Sequence, residues 1–317
     1  MKRKTEVSEL IFKIIAYVIL IIFAALCAYP LLYALGSMFS NYDAIRNSKV
    51  VLLPVGADYI PFWGLQGDAF MYVATNNTFW INYANTLFVT FMGTIWCLIY
   101  SVLGAYALSK KRLMGRHGFN FFLVFTMWFA AGVIPTYLNY QQTGNVMASL
   151  VGKATMYDID LKWLIVIAMG MNATNIVLLR NSFEGVPSEI EEAARIDGAT
   201  ELQILTKVYI PMSKATIATV ALFFGISRWN GYFWAYKVLG SNQSYSWPVQ
   251  VYMRDFINKN TSIGAGASQD DKWIEDEAEA TAIVYAMVVF AMVPILVIYP
   301  FIQKYFAKGV NMGGVKE

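Results

Sequence analysis

Apolar residues along this chain gather into long unbroken runs; they neither alternate with period two nor recur only along one helical stripe. Six runs stand out, at about residues 14–39, 84–108, 119–140, 163–180, 213–234 and 282–301. Each approaches the ~20 residues that carry a helix across ~30 Å of hydrocarbon. Barrel-like alternation is missing throughout, so helices rather than strands are the predicted spanning elements. The first run follows Lys2-Arg3-Lys4 and far exceeds the ~7–15 apolar residues of a signal peptide, so it predicts an uncleaved span. Pro30 inside it predicts a kink, which neighbouring helices in a bundle tolerate.

Three polar intervals break this pattern. Two are long: Ser40–Tyr83, rich in Asn, Asp, Gly and aromatics, and Ala235–Glu279. The third, NSFEGVPSEIEEAARIDGATELQILTKVYIP from Asn181 to Pro211, reads as two short capped helices. Pro187 sets up the first start and Ser188 pairs with Glu191 as a capping box. Gly198 supplies a left-handed stop. Thr200 and Gln203 form a second capping pair, and Pro211 ends that helix.

Composition agrees with a membrane protein. The 317 residues are 57% hydrophobic and 14% charged, against roughly 25% charged in a soluble domain. The net charge of +3 does not suggest nucleic acid, and basic residues are expected to collect on cytoplasmic loops. With the N-terminus inside, the inner loops hold fifteen of the 24 lysines and arginines and the outer loops eight, with Arg228 in the fifth run. Both termini and the Asn181–Pro211 stretch are therefore predicted to be cytoplasmic, and both long polar segments outward. In this arrangement the basic loop Lys110–Arg116 serves to enforce orientation.

Several chemistries are excluded. No phosphate-binding loop, H-E-x-x-H pair or G-x-S-x-G elbow occurs, so neither catalytic residues nor a bound nucleotide are expected. His117 is the only histidine, and Cys27 and Cys97 both sit in apolar runs as small buried hydrophobes, so no metal site is predicted. All 21 acidic residues fall in loops or tails, which removes the usual proton relay of an ion-coupled carrier. A transporter of this kind needs energy from another chain.

Glu192-Ala193-Ala194, then three residues, Gly198, nine residues, and Val208-x-Ile210-Pro211 together resemble the EAA loop of permease subunits in binding-protein-dependent ABC importers, EAA-x3-G-x9-I-x-LP. Val208 and Ile210 stand for the pattern's Ile and Leu. The phrase IEEAARIDGAT, Ile134-Pro135-Thr136-Tyr137 and the ending Tyr299–Val310 are similar to the carbohydrate branch, in particular the subgroup that takes up oligosaccharides from polysaccharides. The resemblance implies an all-α polytopic fold over residues 1–317, a single importer transmembrane domain with six spans and a two-helix coupling loop at 181–211. It implies that Glu192, Ala193, Ala194, Asp197, Gly198, Ile210 and Pro211 serve the ATPase contact. The implied partners are a second, different permease chain, a cytoplasmic ATPase dimer carrying ATP and magnesium, an extracytoplasmic solute-binding protein and a carbohydrate, at the bacterial cytoplasmic membrane. A secondary carrier, an importer for a non-sugar solute and a membrane-embedded enzyme are the competing classes.

Candidates for the substrate path come from the runs themselves. Arg228 lies about 15 residues into the fifth run, roughly 22 Å along a helix, where an arginine is costly in lipid. With Trp229, Asn230 and Trp234 it either lines the path or snorkels to an outer aromatic belt. Asn172 and Asn175 in the fourth run either face the same cavity or hold helices together. The acidic run at 270–279 is either a solvated face or a docking surface for the binding protein.

Overall fold

The computed structural model describes residues 2–129, 131–260, 274 and 276–310. Among them every regular element is helical, and one isolated antiparallel bridge joins Val55 and Pro61. In chain order the main helices are α1 (Lys2–Met38), α2 (Tyr42–Arg46), α3 (Asp68–Thr75), α4 (Asn77–Ser109), α5 (Arg116–Trp128), α6 (Val133–Leu150), α7 (Lys162–Ala168) and α8 (Ala173–Glu184). They continue with α9 (Ser188–Ile196), α10 (Glu201–Met212), α11 (Lys214–Trp229), α12 (Tyr232–Leu239), α13 (Val249–Asn260) and α14 (Glu277–Val310).

Three of these are long and apolar enough to cross a membrane: α1 from Glu9, α4, and α14 as far as Pro300. Two bent pairs, α7–α8 at 47° and α10–α11 at 86°, bring the number of candidate spans to at most five. Three of the six apolar runs are not single continuous helices. The run at 119–140 is broken between Trp128 and Val133. Pro135 explains the break: it has no N–H and its ring would strike the carbonyl four residues earlier, so it fits the first turn of α6 but not the middle of one long helix. The run at 163–180 breaks between Ala168 and Ala173, and the run at 213–234 breaks at Asn230-Gly231. Pro30, in contrast, lies inside an uninterrupted α1.

Contacts divide the chain into two compact units, Met1–Phe79 with Met253–Pro294 and Trp80–Tyr252 with Ile295–Glu317. In the first, Phe70 stacks between Phe39 and Phe290, at 5.9 and 5.4 Å between ring centroids. Arg46 of α2 pairs with Asp276 at 2.8 Å, at the foot of α14. Asp276 is therefore held below the usual carboxylate range; burial pushes it up, but the Ala278 amide and the Arg46 charge more than offset that. This pair occupies one end of the predicted acidic run; Asp270, Asp271 and Glu275 lie outside the described residues. The α1 side chains from Leu10 to Phe23 are largely exposed, as on a helix whose neighbour is lipid or another chain. Cys27 is exposed too, which corrects its reading as a buried hydrophobe, and both cysteines are free.

The second unit is built around α4, α8, α10 and α11. Their apolar faces meet in one cluster that includes Tyr106, Leu179, Phe183, Ile204, Tyr209 and Phe224, each at most 9% exposed. This cluster forms the platform on which the Asn181–Pro211 stretch is mounted.

Coupling hairpin and helix-break cavity

The α9–α10 hairpin follows from local chemistry. Gly198 adopts φ +77°, its N–H donates to the Arg195 carbonyl, and the Ala199 N–H donates to the Ala194 carbonyl. These two bonds complete a Schellman stop, which satisfies carbonyls that the helix end leaves free. Thr200 and Gln203 form the predicted capping box at the start of α10. Thr200→Ala is expected to lower stability by about 1 kcal/mol, measurable as a lower melting temperature of the purified protein.

The first predicted capping box is not formed. Pro187 occupies the cap position, Ser188 is already inside α9, and no side chain caps this end. Glu191 is drawn elsewhere. Its carboxylate takes Lys110 Nζ at 2.7 Å and also binds the Tyr209 hydroxyl and the Arg195 guanidinium. Lys110 is only 8% exposed and sits over the rings of Tyr209 and Tyr106, at 3.8 and 4.1 Å from their centroids. A second carboxylate, Glu201 of α10, accepts from the Tyr106 hydroxyl at 2.8 Å and pairs with Arg112 and with Arg195.

The electrostatics are consistent with a closed network. Burial pushes the Glu191 carboxyl up, but its bonds to Lys110 and Tyr209 and the Arg195 charge outweigh it, leaving it below the ordinary carboxylate value. The Arg112 hydrogen bond holds Glu201 down as well. Burial lowers Lys110, opposed by the Glu191 carboxylate. The basic loop therefore does more than enforce orientation. Lys110 and Arg112 clamp the hairpin to the end of α4, and Arg116 pairs with Glu184 at the end of α8.

The residues of the EAA pattern divide between two faces. Ala194, Val208 and Ile210 pack against the apolar cluster. Glu192, Ala193, Asp197, Gly198 and Pro211 are exposed, as are the large apolar side chains Ile196 (87%) and Leu202 (65%). Pro211 does not end α10, which continues to Met212 before the 86° bend at Ser213. A wide π-type turn at Leu205–Tyr209 precedes the proline, and the Ile210 N–H reaches back to the Leu205 carbonyl. Such a turn accommodates a residue that has no N–H of its own to give to the helix.

The other candidates surround the break between α7 and α8. Arg228 is 8% exposed, so its side chain is buried within the protein instead of reaching out to an interface. Its guanidinium donates to the carbonyls of Ile165, Val166 and Met169 and to Cys97 Sγ, at 3.0 Å for Val166 and 3.1 Å for the sulfur. These carbonyls end α7, so Arg228 acts as its C-terminal cap. Cys97 is thus a polar contact as well as a packed side chain. Across the break, Asn172 Oδ1 accepts from the Thr174 N–H and caps α8. Asn175 is buried, and it lines a cavity of about 340 Å³ with Gly170, Met171, Asn172, Thr174, Phe223, Phe224 and Ser227. Arg228 and Trp234 line a smaller one of about 100 Å³, which shares Gly170 and Ser227 with the first. Trp229 packs edge-on against Tyr83, and Asn230 donates to the Ile226 carbonyl, so neither joins these cavities.

Residues 115–312 match the family of binding-protein-dependent transport system inner membrane components. The chain belongs to this family. A polygalacturonan/rhamnogalacturonan transport system permease protein of Bacillus subtilis is 32% identical over 96% of this chain and 98% of that one. The LplC protein of the same organism is 30% identical over 92% and 90%. A bacterial ABC transporter involved in the import of the acidic polysaccharide alginate has a crystal structure that aligns with a TM-score of 0.77 and 38% identity, covering 94% of this chain and 98% of that chain. As a member of the family, the chain is a membrane component of a transport system that works with a binding protein. The sequence singles out seven loop residues of this transport component; it assigns Glu191 to a cap and Lys110 to orientation, and it misses Tyr106 and Tyr209. The available signal is a lysine at the end of an apolar run facing an acidic helix.

Proposed function

We propose that the chain is one transmembrane subunit of an ATP-driven importer for an oligosaccharide, and that fragments of acidic polysaccharides are the first substrates to test. In this reading residues 1–317 form a single transmembrane domain with cytoplasmic termini. Six crossings are made by α1, α4, α5 with α6, α7 with α8, α11 with α12, and α14. The hairpin α9–α10 then lies at the cytoplasmic surface and docks on an ATPase dimer, which carries ATP and magnesium. A second permease chain completes the path, and an extracytoplasmic binding protein delivers the sugar. No covalent chemistry is assigned to this chain.

The observation that carries the reading is the division of the hairpin into two faces. One face is fastened to α4 by Lys110–Glu191 and the edge-on pair Tyr106 and Tyr209. The other leaves Glu192, Ala193, Ile196 and Leu202 exposed, a small acidic and apolar surface suited to a cleft in a partner. Purification of the membrane complex is expected to recover an ATPase whose hydrolysis is stimulated by the loaded binding protein. Sugar uptake by this chain alone in vesicles would instead support a secondary carrier. Glu192→Lys is expected to reduce ATPase copurification several-fold without changing the melting temperature, because Glu192 takes no part in the buried network.

A further inference from the structure

The fourth apolar run is interrupted at residues 169–172, and within a spanning segment such a break leaves backbone groups that lipid cannot satisfy. Both ends of the break are nevertheless capped. Asn172 serves α8 from within the same run, whereas α7 is served by Arg228, reaching across from α11. The slot for Arg228 is narrow. A Cβ on Gly93 of α4 would lie 2.9 Å from its Cζ, and one on Gly170 would lie 2.7 Å from Nε. Among the described residues no carboxylate pairs with Arg228, so the partial negative charge at the end of α7 is its counter-charge.

The 340 Å³ cavity lies against this joint and is within the size range of ligand pockets. One wall comes from the break and the first turn of α8, with Gly170, Asn172, Thr174 and Asn175; the opposite wall is Phe223 and Ser227 of α11. A lining that combines amides, hydroxyls and aromatic rings suits a sugar, whose hydroxyls need hydrogen bonds and whose C–H face packs on rings. The bonds of Arg228 to the α7 carbonyls tie these two walls together. We propose that this cavity contacts one ring of the transported sugar and that Arg228 is its positioning residue, holding the two walls in register by capping α7. The proposal rests on the transport reading above.

The test uses the reconstituted complex with its binding protein and an oligouronide as probe. Arg228→Gln and the milder Gly93→Ala, which crowds the guanidinium without removing its charge, are expected to raise the half-saturating sugar concentration about tenfold. Asn175→Ala should do the same, and combining it with Arg228→Gln should add little, since both act on one cavity. Hydrogen exchange of residues 165–176 should rise at least about tenfold in Arg228→Gln, a readout that does not depend on the sugar chosen. Unchanged exchange overturns the cap, and increased exchange with unchanged sugar dependence in all three single variants overturns the positioning role. A parent complex that imports no saccharide refutes the transport reading, while the exchange result still decides the cap.

Discussion

Glu191→Ala is expected to uncouple the complex: sugar uptake should fall at least tenfold while basal ATP hydrolysis persists. The reason is the fate of Lys110. Lys110 is 8% exposed, and its ammonium is hydrogen-bonded to the Glu191 carboxylate at 2.7 Å and lies over two tyrosine rings. Removing one partner of such a buried pair costs about 3–5 kcal/mol, because the remaining charge is left without compensation. That cost falls on the joint between α4 and the hairpin, not on the exposed face of α9. Lys110→Met should restore part of the packing, because it removes the stranded charge and keeps the apolar stem, so the double variant Lys110→Met with Glu191→Ala should be less impaired than Glu191→Ala alone. Tyr209→Phe, which deletes only one hydrogen bond to Glu191, should cost about 1 kcal/mol and leave most uptake intact. The measurements are uptake and ATPase rates on the same vesicles; equal loss of both activities in Glu191→Ala would indicate misfolding of the subunit rather than uncoupling.

Gly198→Pro should be more severe and should differ in kind from Gly198→Ala. At φ +77° an alanine Cβ would meet nothing within 4 Å, so Gly198→Ala carries only the left-handed backbone penalty of about 1–2 kcal/mol. Proline cannot reach this φ at all and also deletes the N–H that closes on Arg195. The Schellman stop is lost, α9 and α10 no longer hold their angle, and transport should be abolished in a complex that still contains the subunit. Normal uptake by Gly198→Pro would remove the hairpin from the coupling pathway.

Features set by near neighbours along the chain are legible from the residues alone. Gly198 and the Thr200–Gln203 box depend on atoms within a few residues, and both are formed as expected. Ser188 and Glu191 have the same spacing, yet Glu191 is captured by Lys110, 81 positions earlier, an interaction that no local pattern contains. The helix breaks escape a reading by hydropathy for a related reason. Pro135 and Gly170 are local signals, but an apolar run of spanning length outweighs them when only length and hydropathy are considered. The fifth run places Arg228 at a sensible depth, but depth says nothing about a neighbouring helix ending there with open carbonyls. The family is legible in the sequence because its signature is a spaced motif, Glu192-Ala193-Ala194 with Gly198 and Pro211, and not a single residue.

The right-angled meeting of α10 and α11 gives this unit the geometry of a crank. The 12 residues of α10 form an arm of roughly 18 Å and the 16 of α11 one of roughly 24 Å, at ~1.5 Å per residue. If the elbow at Ser213 turns as a rigid piece, a push of about 2 Å at the free end of α10 is a rotation of about 6° and moves the far end of α11 by nearly ~3 Å. Arg228 is the last residue but one on that longer arm. A stroke of that size equals the full length of a hydrogen bond, enough to exchange one set of carbonyl partners for another.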